Sequence, residues 1–192
     1  MNFENLFFFL EIGAVFLAVA YLLLAVRRDI RCWIAGIMSS SIYFVLMFTA
    51  NLYMESILQI FYIFMGVYGF NQWKSDIANT EEISITTWNL KTHLIVLGII
   101  LISSYFAGYI LDTYTDAKLP FLDSLTTFGA LFATYMVAKK ILENWIYWFL
   151  IDSVSIYLFI ERELYLTSIL FCHYLIIIIF GFRSWLAVFR AG

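Results

Sequence analysis

The sequence predicts an all-α membrane protein with seven transmembrane helices, and three observations lead to this fold class. Of the 192 residues, 64% are hydrophobic and 13% are charged, whereas a soluble domain is about half apolar and about a quarter charged. The apolar residues form seven segments, each near the length of roughly 20 residues that crosses a bilayer as a helix. The chain has one proline and nine glycines, so little interrupts such helices.

Each apolar segment is interpreted as one transmembrane span, with the limits of the segment as the limits of the span. The first segment starts with an acidic residue, lacks a small-residue cleavage site and ends in arginines, so we expect it to be retained as a helix. Residues 74–92 are polar and mixed in charge, which indicates a linker inside one membrane domain, 1–192. The predicted spans are 6–26, 32–48, 54–73, 93–111, 121–138, 144–160 and 165–185.

The basic residues divide unevenly between the two ends of these spans. Seven crossings leave Lys118 and Arg162 on one side and place the other nine on the opposite side. Lys and Arg accumulate in cytoplasmic loops, so we expect the N-terminus outside and the C-terminus in the cytoplasm. The nine are Arg27, Arg28, Arg31, Lys74, Lys91, Lys139, Lys140, Arg183 and Arg190.

An internal repeat relates the two halves of the chain. An offset of 112 residues aligns Trp33 with Trp145 and also aligns further tryptophans, glycines and basic pairs. Residues 6–73 and 121–185 are therefore two three-helix units, and the helix at 93–111 returns the chain so that both units have the same orientation. This 3+1+3 parallel repeat is typical of transporters, which bind substrate at the interface between repeats. The further aligned residues are Gly69 with Gly181, Trp73 with Trp185, and Arg27–Arg28 with Lys139–Lys140.

Asp152 lies at the centre of the sixth span, where a carboxylate on a lone helix costs about 2.5 to 3.5 kcal/mol. We therefore expect it to face the bundle interior or a wet cavity. Three roles remain open: it pairs structurally with His173 or a backbone donor, it relays protons with His173, or it binds a cationic or polar substrate. Trp145 and Trp148 share its helix face by spacing, which favours the third.

Planar side chains on three spans complete the predicted site. Rings at Tyr62, Trp145, Trp148 and Tyr174 suit a flat cation through stacking and cation–π attraction, and amides can bind its hydroxyl groups. Because many aromatic side chains of a membrane protein face lipid or lie at its interfaces, we expect Trp33, Trp73, Trp88 and Trp185 to be lipid-facing or interfacial. The candidate substrate-binding residues are Gln59, Tyr62, Asn144, Trp145, Trp148, Asp152, His173 and Tyr174.

Several other functions are not favoured. Cys32 and Cys172 stand far apart and are interpreted as small apolar helix residues. His93 and His173 have no partner at metal-ligand spacing, so we expect no metal site. No serine or cysteine stands beside a base in a pattern typical of a nucleophilic enzyme. We expect neither a cofactor nor a nucleic-acid partner.

Three stretches make the sequence resemble the PnuC family of bacterial vitamin transporters. They are "ILQIFYIFMGVYGFNQW", "ENWIYWFLIDSVSIYLF" and "ELYLTSILFCHYLIIIIFGFRSW". The resemblance implies a SWEET-like arrangement of helices, a homotrimer and a bacterial inner-membrane location. It also implies substrate contacts at Gln59, Asn144, Trp145 and Trp148, while Asp152 and His173 are added on physical grounds.

The same resemblance implies a function. Family members take up nicotinamide riboside or another unphosphorylated vitamin by facilitated diffusion, and cytoplasmic phosphorylation traps the product. Nicotinamide riboside is a flat pyridinium cation, which agrees with an acid among aromatic rings. Thiamine, also a flat heteroaromatic cation, is the alternative substrate, and a membrane scaffold without transport is the alternative of another class.

Overall fold

The computed structural model describes residues 3–49, 53–80, 84–161 and 165–191. Within these residues the chain forms seven α-helices and no strand, which confirms the predicted all-α fold. The helices are α1 (Phe3–Val26), α2 (Arg31–Thr49), α3 (Tyr53–Thr80), α4 (Leu90–Tyr114), α5 (Pro120–Ala138), α6 (Asn144–Glu161) and α7 (Tyr165–Ala191).

Five of the helices are long and apolar enough to cross a membrane by length and composition. The other two, α3 and α6, carry polar residues within their length, among them Gln59 and Asp152. Both helices hold predicted site residues, as α7 does.

Helices α3 and α7 extend furthest beyond the apolar segments that predicted them. Helix α3 continues to Thr80 and α7 continues to Ala191, because the residues that follow each predicted segment include neither proline nor glycine to end the helix. Part of the segment 74–92 is therefore helical. Residues 81–83 of that segment, and Arg162 of the basic pattern, lie outside the described residues.

The chain divides into two compact units, one with α1–α3 and one with α4–α7. In the first unit α2 packs against both α1 and α3. In the second, α5 packs against α4 and α6, and α6 packs against α7. Within each unit, every helix thus buries part of its surface against its neighbours in sequence, and many large apolar side chains stay exposed, as suits a membrane-spanning chain.

The sequence repeat is visible in the corner that joins the first two helices of each three-helix repeat. Arg28 and Lys140 both adopt a left-handed backbone with φ of 58°. The next residue donates its backbone N–H to the carbonyl five positions earlier, at 3.0 Å in the first corner and 2.9 Å in the second. This bond ends the helix in a Schellman-type turn, so equivalent basic residues terminate α1 and α5 in the same way.

One buried tryptophan cluster also recurs in both units, where a tryptophan ring lies directly on a glycine of the following helix. In each cluster that ring contacts a second tryptophan edge to face, with ring centroids 5.5 Å apart. The lipid-facing position expected for Trp33, Trp73 and Trp185 is therefore wrong, because all three side chains are buried within their units. Glycine leaves a recess on the helix that one indole of each cluster fills. The clusters are Trp33 with Gly69 and Trp73, and Trp145 with Gly181 and Trp185.

Candidate functional site

Helix α6 begins directly after the α5–α6 corner, and its first residue is fully buried. The Asn144 Nδ2 donates to the carbonyl oxygen of Ile141 at 2.6 Å, which fixes the orientation of the amide. Among the described residues the Oδ1 of Asn144 has no hydrogen-bond partner. A buried acceptor left unpaired costs about 1 to 3 kcal/mol, so this oxygen is suited to receive a donor from a ligand or a water molecule.

A short extended segment before α4 binds to the same corner. The backbone N–H of Thr86 donates to the carbonyl of Lys140 at 3.1 Å, and Leu142 donates to the carbonyl of Thr86 at 2.8 Å. Ile85 is buried beside this bridge, as are Ile141 and Leu142. Burial also lowers the pKa of the Lys140 ammonium group. The end of the predicted linker is therefore part of the second unit.

Side chains add a second connection between α4 and the start of α6, which we call the α4–α6 cluster: Trp88, His93, Glu143 and Tyr147. The His93 Nδ1 lies 3.0 Å from the Tyr147 hydroxyl, and its Nε2 lies 3.8 Å from a Glu143 carboxylate oxygen. Glu143 also accepts the backbone N–H of Trp88 at 3.4 Å. The cluster therefore holds the start of α6 in place, because Glu143 directly precedes Asn144, the first residue of the helix.

Only a weak signal in the sequence points to this cluster. Glu143 and Tyr147 are four residues apart, so they share a helix face, but 54 residues separate His93 from Tyr147. The prediction treated His93 as a single residue at the end of a span. Only the folded chain brings it to its two partners.

Asp152 lies near the middle of α6 and is 4% exposed. No hydrogen bond or ion pair from the described residues reaches its carboxylate. A buried acid within a membrane span is costly and is retained where it faces a functional partner. Asp152 therefore lies in the interior of its unit, as predicted, and the described part of the chain supplies no partner for its carboxylate.

Two neighbours share the face of Asp152. Ser155 is buried one turn further along, and Trp148 is half-buried one turn before. At the offset of the repeat, Trp148 corresponds to Gly36 and Asp152 to Ser40. The indole and the carboxylate are thus particular to the second unit.

Trp145 differs from Trp148 in its surroundings. Its ring is 2% exposed and occupies the recess at Gly181, as Trp33 does at Gly69 in the first unit. The indole nitrogens of both Trp33 and Trp145 have no hydrogen-bond partner among the described residues. The equivalent packing indicates a structural part for Trp145, whatever its contact with a substrate.

His173 and Tyr174 lie on α7 in different surroundings from those of Asp152. His173 is exposed, and its Nδ1 lies 2.8 Å from the carbonyl oxygen of Ile169 on its own helix. Within the described chain no hydrogen bond or ion pair joins it to Asp152. Tyr174 is half-buried and its ring centroid lies 5.4 Å from that of Phe171.

The remaining candidates belong to the first unit. Gln59 and Tyr62 are half-buried on α3, one turn apart on the same helix.

On α6 the structure places Asn144, Trp148 and Asp152 at intervals of four residues, about 6 Å each. Together they offer an acceptor oxygen, an aromatic ring and a carboxylate, which suit a flat cation that carries hydrogen-bond donors.

Comparison with known proteins gives consistent matches over most of the chain. The profile of the family described as "Nicotinamide mononucleotide transporter" matches residues 8–187. The nicotinamide riboside transporters PnuC of Escherichia coli (strain K12) and of Shigella flexneri are each 22% identical over 188 residues, covering 85% of this chain and 79% of theirs. The crystal structure of the vitamin B3 transporter PnuC superposes with a TM-score of 0.74 at 20% identity, covering 95% of this chain and 83% of that one.

Proposed function

The chain belongs to the nicotinamide mononucleotide transporter family, and on this premise we propose that it takes up nicotinamide riboside across the membrane. Similar proteins carry that substrate in their names. Uptake by facilitated diffusion, with phosphorylation in the cytoplasm as the trap, is what the family resemblance implies. The protein is a transporter and not an enzyme.

The observation that carries the proposed substrate is the unpaired carboxylate of Asp152. It is buried within α6 and meets no donor or cation among the described residues. A pyridinium ring supplies the missing positive charge, and the half-buried Trp148 one turn away supplies a face on which a flat ring stacks. The free Oδ1 of Asn144 accepts a donor from a ribose hydroxyl or from the carboxamide.

The same residues favour the riboside over the mononucleotide. A phosphate group needs Lys, Arg or a helix N-terminus to offset its charge. Helix α6 contains neither Lys nor Arg along its length. Its N-terminus at Asn144 lies eight residues, or about 12 Å, from Asp152, and a phosphate beside Asp152 would meet a like charge. We therefore propose an unphosphorylated substrate, although the family is described by the mononucleotide.

We propose Asn144, Trp148 and Asp152 as the principal contacts. Trp145, whose ring fills the recess at Gly181, then acts mainly by holding α6 against α7. Contacts from Gln59, Tyr62, His173 and Tyr174 stay predictions from the sequence.

We further propose a location in the bacterial inner membrane, with the N-terminus outside and the C-terminus in the cytoplasm. The uneven division of basic residues supports this orientation. A homotrimer is the assembly that the family resemblance implies. Mass photometry of the purified chain in detergent tests it, and a monomer at all concentrations would contradict it.

Uptake into proteoliposomes tests the proposed function. Vesicles with the purified chain should take up labelled nicotinamide riboside until the inner and outer concentrations are equal, without an ion gradient. Nicotinamide mononucleotide should not enter, and thiamine serves as the alternative cation. Vesicles that take up thiamine but not nicotinamide riboside would contradict the proposed substrate, and vesicles that take up neither would support the scaffold hypothesis.

A further inference from the structure

A groove runs along the outer surface between α6 and α7, entirely within the second unit. Its volume is about 200 Å³. Apolar side chains line it, and Arg183 is its one charged lining residue. The apolar lining residues are Trp145, Ile146, Phe149, Ile178, Ile179 and Phe182.

The groove opens on the exposed flank of α6, beside the helix surface that holds Asp152. Ile146, Phe149 and Ile179 are exposed at 47%, 39% and 49%, and on a membrane-spanning chain such exposed apolar side chains contact lipid. Around α6, at about 100° per residue, Ile146 and Phe149 lie roughly 120° and 60° from Asp152, and Trp145 lies roughly 20° from it. The groove is therefore adjacent to the face of the proposed substrate site, and Trp145 borders both.

The position of Arg183 along α7 matches the depth of lipid headgroups in a membrane. It lies 18 residues after Tyr165 on α7, or about 27 Å along the helix axis, which is close to the roughly 30 Å thickness of the hydrocarbon core. Among the described residues no hydrogen bond or ion pair reaches its exposed guanidinium. An unpaired cation at membrane-surface depth, next to an apolar groove that enters the membrane, matches both parts of a phospholipid.

We propose that this groove binds an anionic phospholipid, with one acyl chain along α6 and α7 and the phosphate paired with Arg183. Basic pockets between transmembrane helices bind anionic headgroups in this way. The first unit lacks the cation, because the position equivalent to Arg183 is Asn71. The site is thus specific to the unit that carries Asp152, and a bound acyl chain covers the outer flank of Trp145.

Native mass spectrometry of the full chain in detergent tests the proposal. Phosphatidylglycerol and phosphatidylcholine of equal chain length are titrated separately, and the fraction of protein that retains one lipid is measured. Phosphatidylglycerol should reach half-saturation at a concentration about fivefold lower, as expected for one basic residue near the headgroup. Arg183→Gln should abolish this preference.

Two further variants make the test specific. Arg190→Gln removes an exposed arginine of the same helix that does not line the groove, so the preference should be unchanged. Ile179→Trp fills the groove and keeps Arg183, so retention of both lipids should fall severalfold; it also carries the test if Arg183→Gln fails to fold.

Three results would overturn the proposal. The first is equal retention of the two lipids by the native chain, and the second is an Arg183→Gln variant that keeps the preference. The third is an Ile179→Trp variant that retains both lipids as the native chain does. If that variant also changes the oligomeric state, the groove is a contact between copies of this chain.

Discussion

Gly181→Ala is the substitution whose effect follows most directly from the distances in the structure. A Cβ at this position would lie 2.5 Å from the Cη2 of Trp145 and 2.6 and 2.7 Å from two further atoms of the same ring. These separations are well inside van der Waals contact. The ring is buried and packs edge to face on Trp185 at an angle of 87°, so moving it away from the new Cβ would disturb this packing.

Overpacking of this kind typically costs about 1 to 3 kcal/mol, and we expect Gly181→Ala to lower the melting temperature of the detergent-solubilised protein. Gly98→Ala is the matched control, since nothing lies within 4 Å of a Cβ at that helical position. Alanine favours a helix over glycine, so the control should keep or slightly raise the melting temperature. Equal melting temperatures for the two variants would refute the packing of Trp145 against Gly181.

Three other predictions concern separate features of the structure. Tyr147→Phe and His93→Phe should be coupled by about 0.5 to 1.5 kcal/mol in a double-mutant cycle on the free energy of unfolding. The exposed Tyr157→Phe is the control and should add to His93→Phe without coupling. Additive effects of Tyr147→Phe and His93→Phe would contradict the contact. A hydrogen bond from Arg31 lowers the pKa of Asp29, so the ionised Asp29 stabilises the fold above its unfolded pKa of about 3.9, and this stabilisation is lost as the pH falls through the lower folded pKa. The melting temperature of the native chain should therefore fall between pH 5 and pH 3, and it should fall less steeply in Arg31→Gln. An equal fall in both proteins would contradict this. Trp148→Phe should weaken substrate binding in calorimetry with little change in melting temperature. Trp145→Phe and Trp33→Phe should instead lower the melting temperature by similar amounts. A Trp148→Phe variant that loses stability but not affinity would contradict these roles.

The helices could be predicted from the sequence because each apolar segment has the length that a bilayer requires. Their ends could not, since hydropathy does not report a polar continuation such as the end of α3 at Thr80. The 112-residue offset also aligned Trp145, Gly181 and Trp185 with their equivalents. It did not show that the aligned residues pack on one another, because an alignment relates positions and not the distances between them.

The site was predictable only in part. The cost of a buried charge was sufficient to place Asp152 in the interior. The same reasoning could not decide between its three roles, because spacing on one helix says nothing about the partner on another, as the exposed position of His173 shows. The contact of His93 with Tyr147 was not predictable for the same reason, since 54 residues lie between them.

Calorimetry on Asp152→Asn tests the central claim most directly, because the change removes the charge and keeps the shape of the side chain. Binding is measured for nicotinamide riboside and for its reduced form, which is similar in shape but uncharged. We expect the variant to bind the cation more weakly by about 1 to 3 kcal/mol, or roughly 5- to 150-fold, as for a partly desolvated ion pair. The reduced form should bind both proteins with nearly equal affinity. An Asp152→Asn variant that binds nicotinamide riboside as tightly as the native protein would contradict the account.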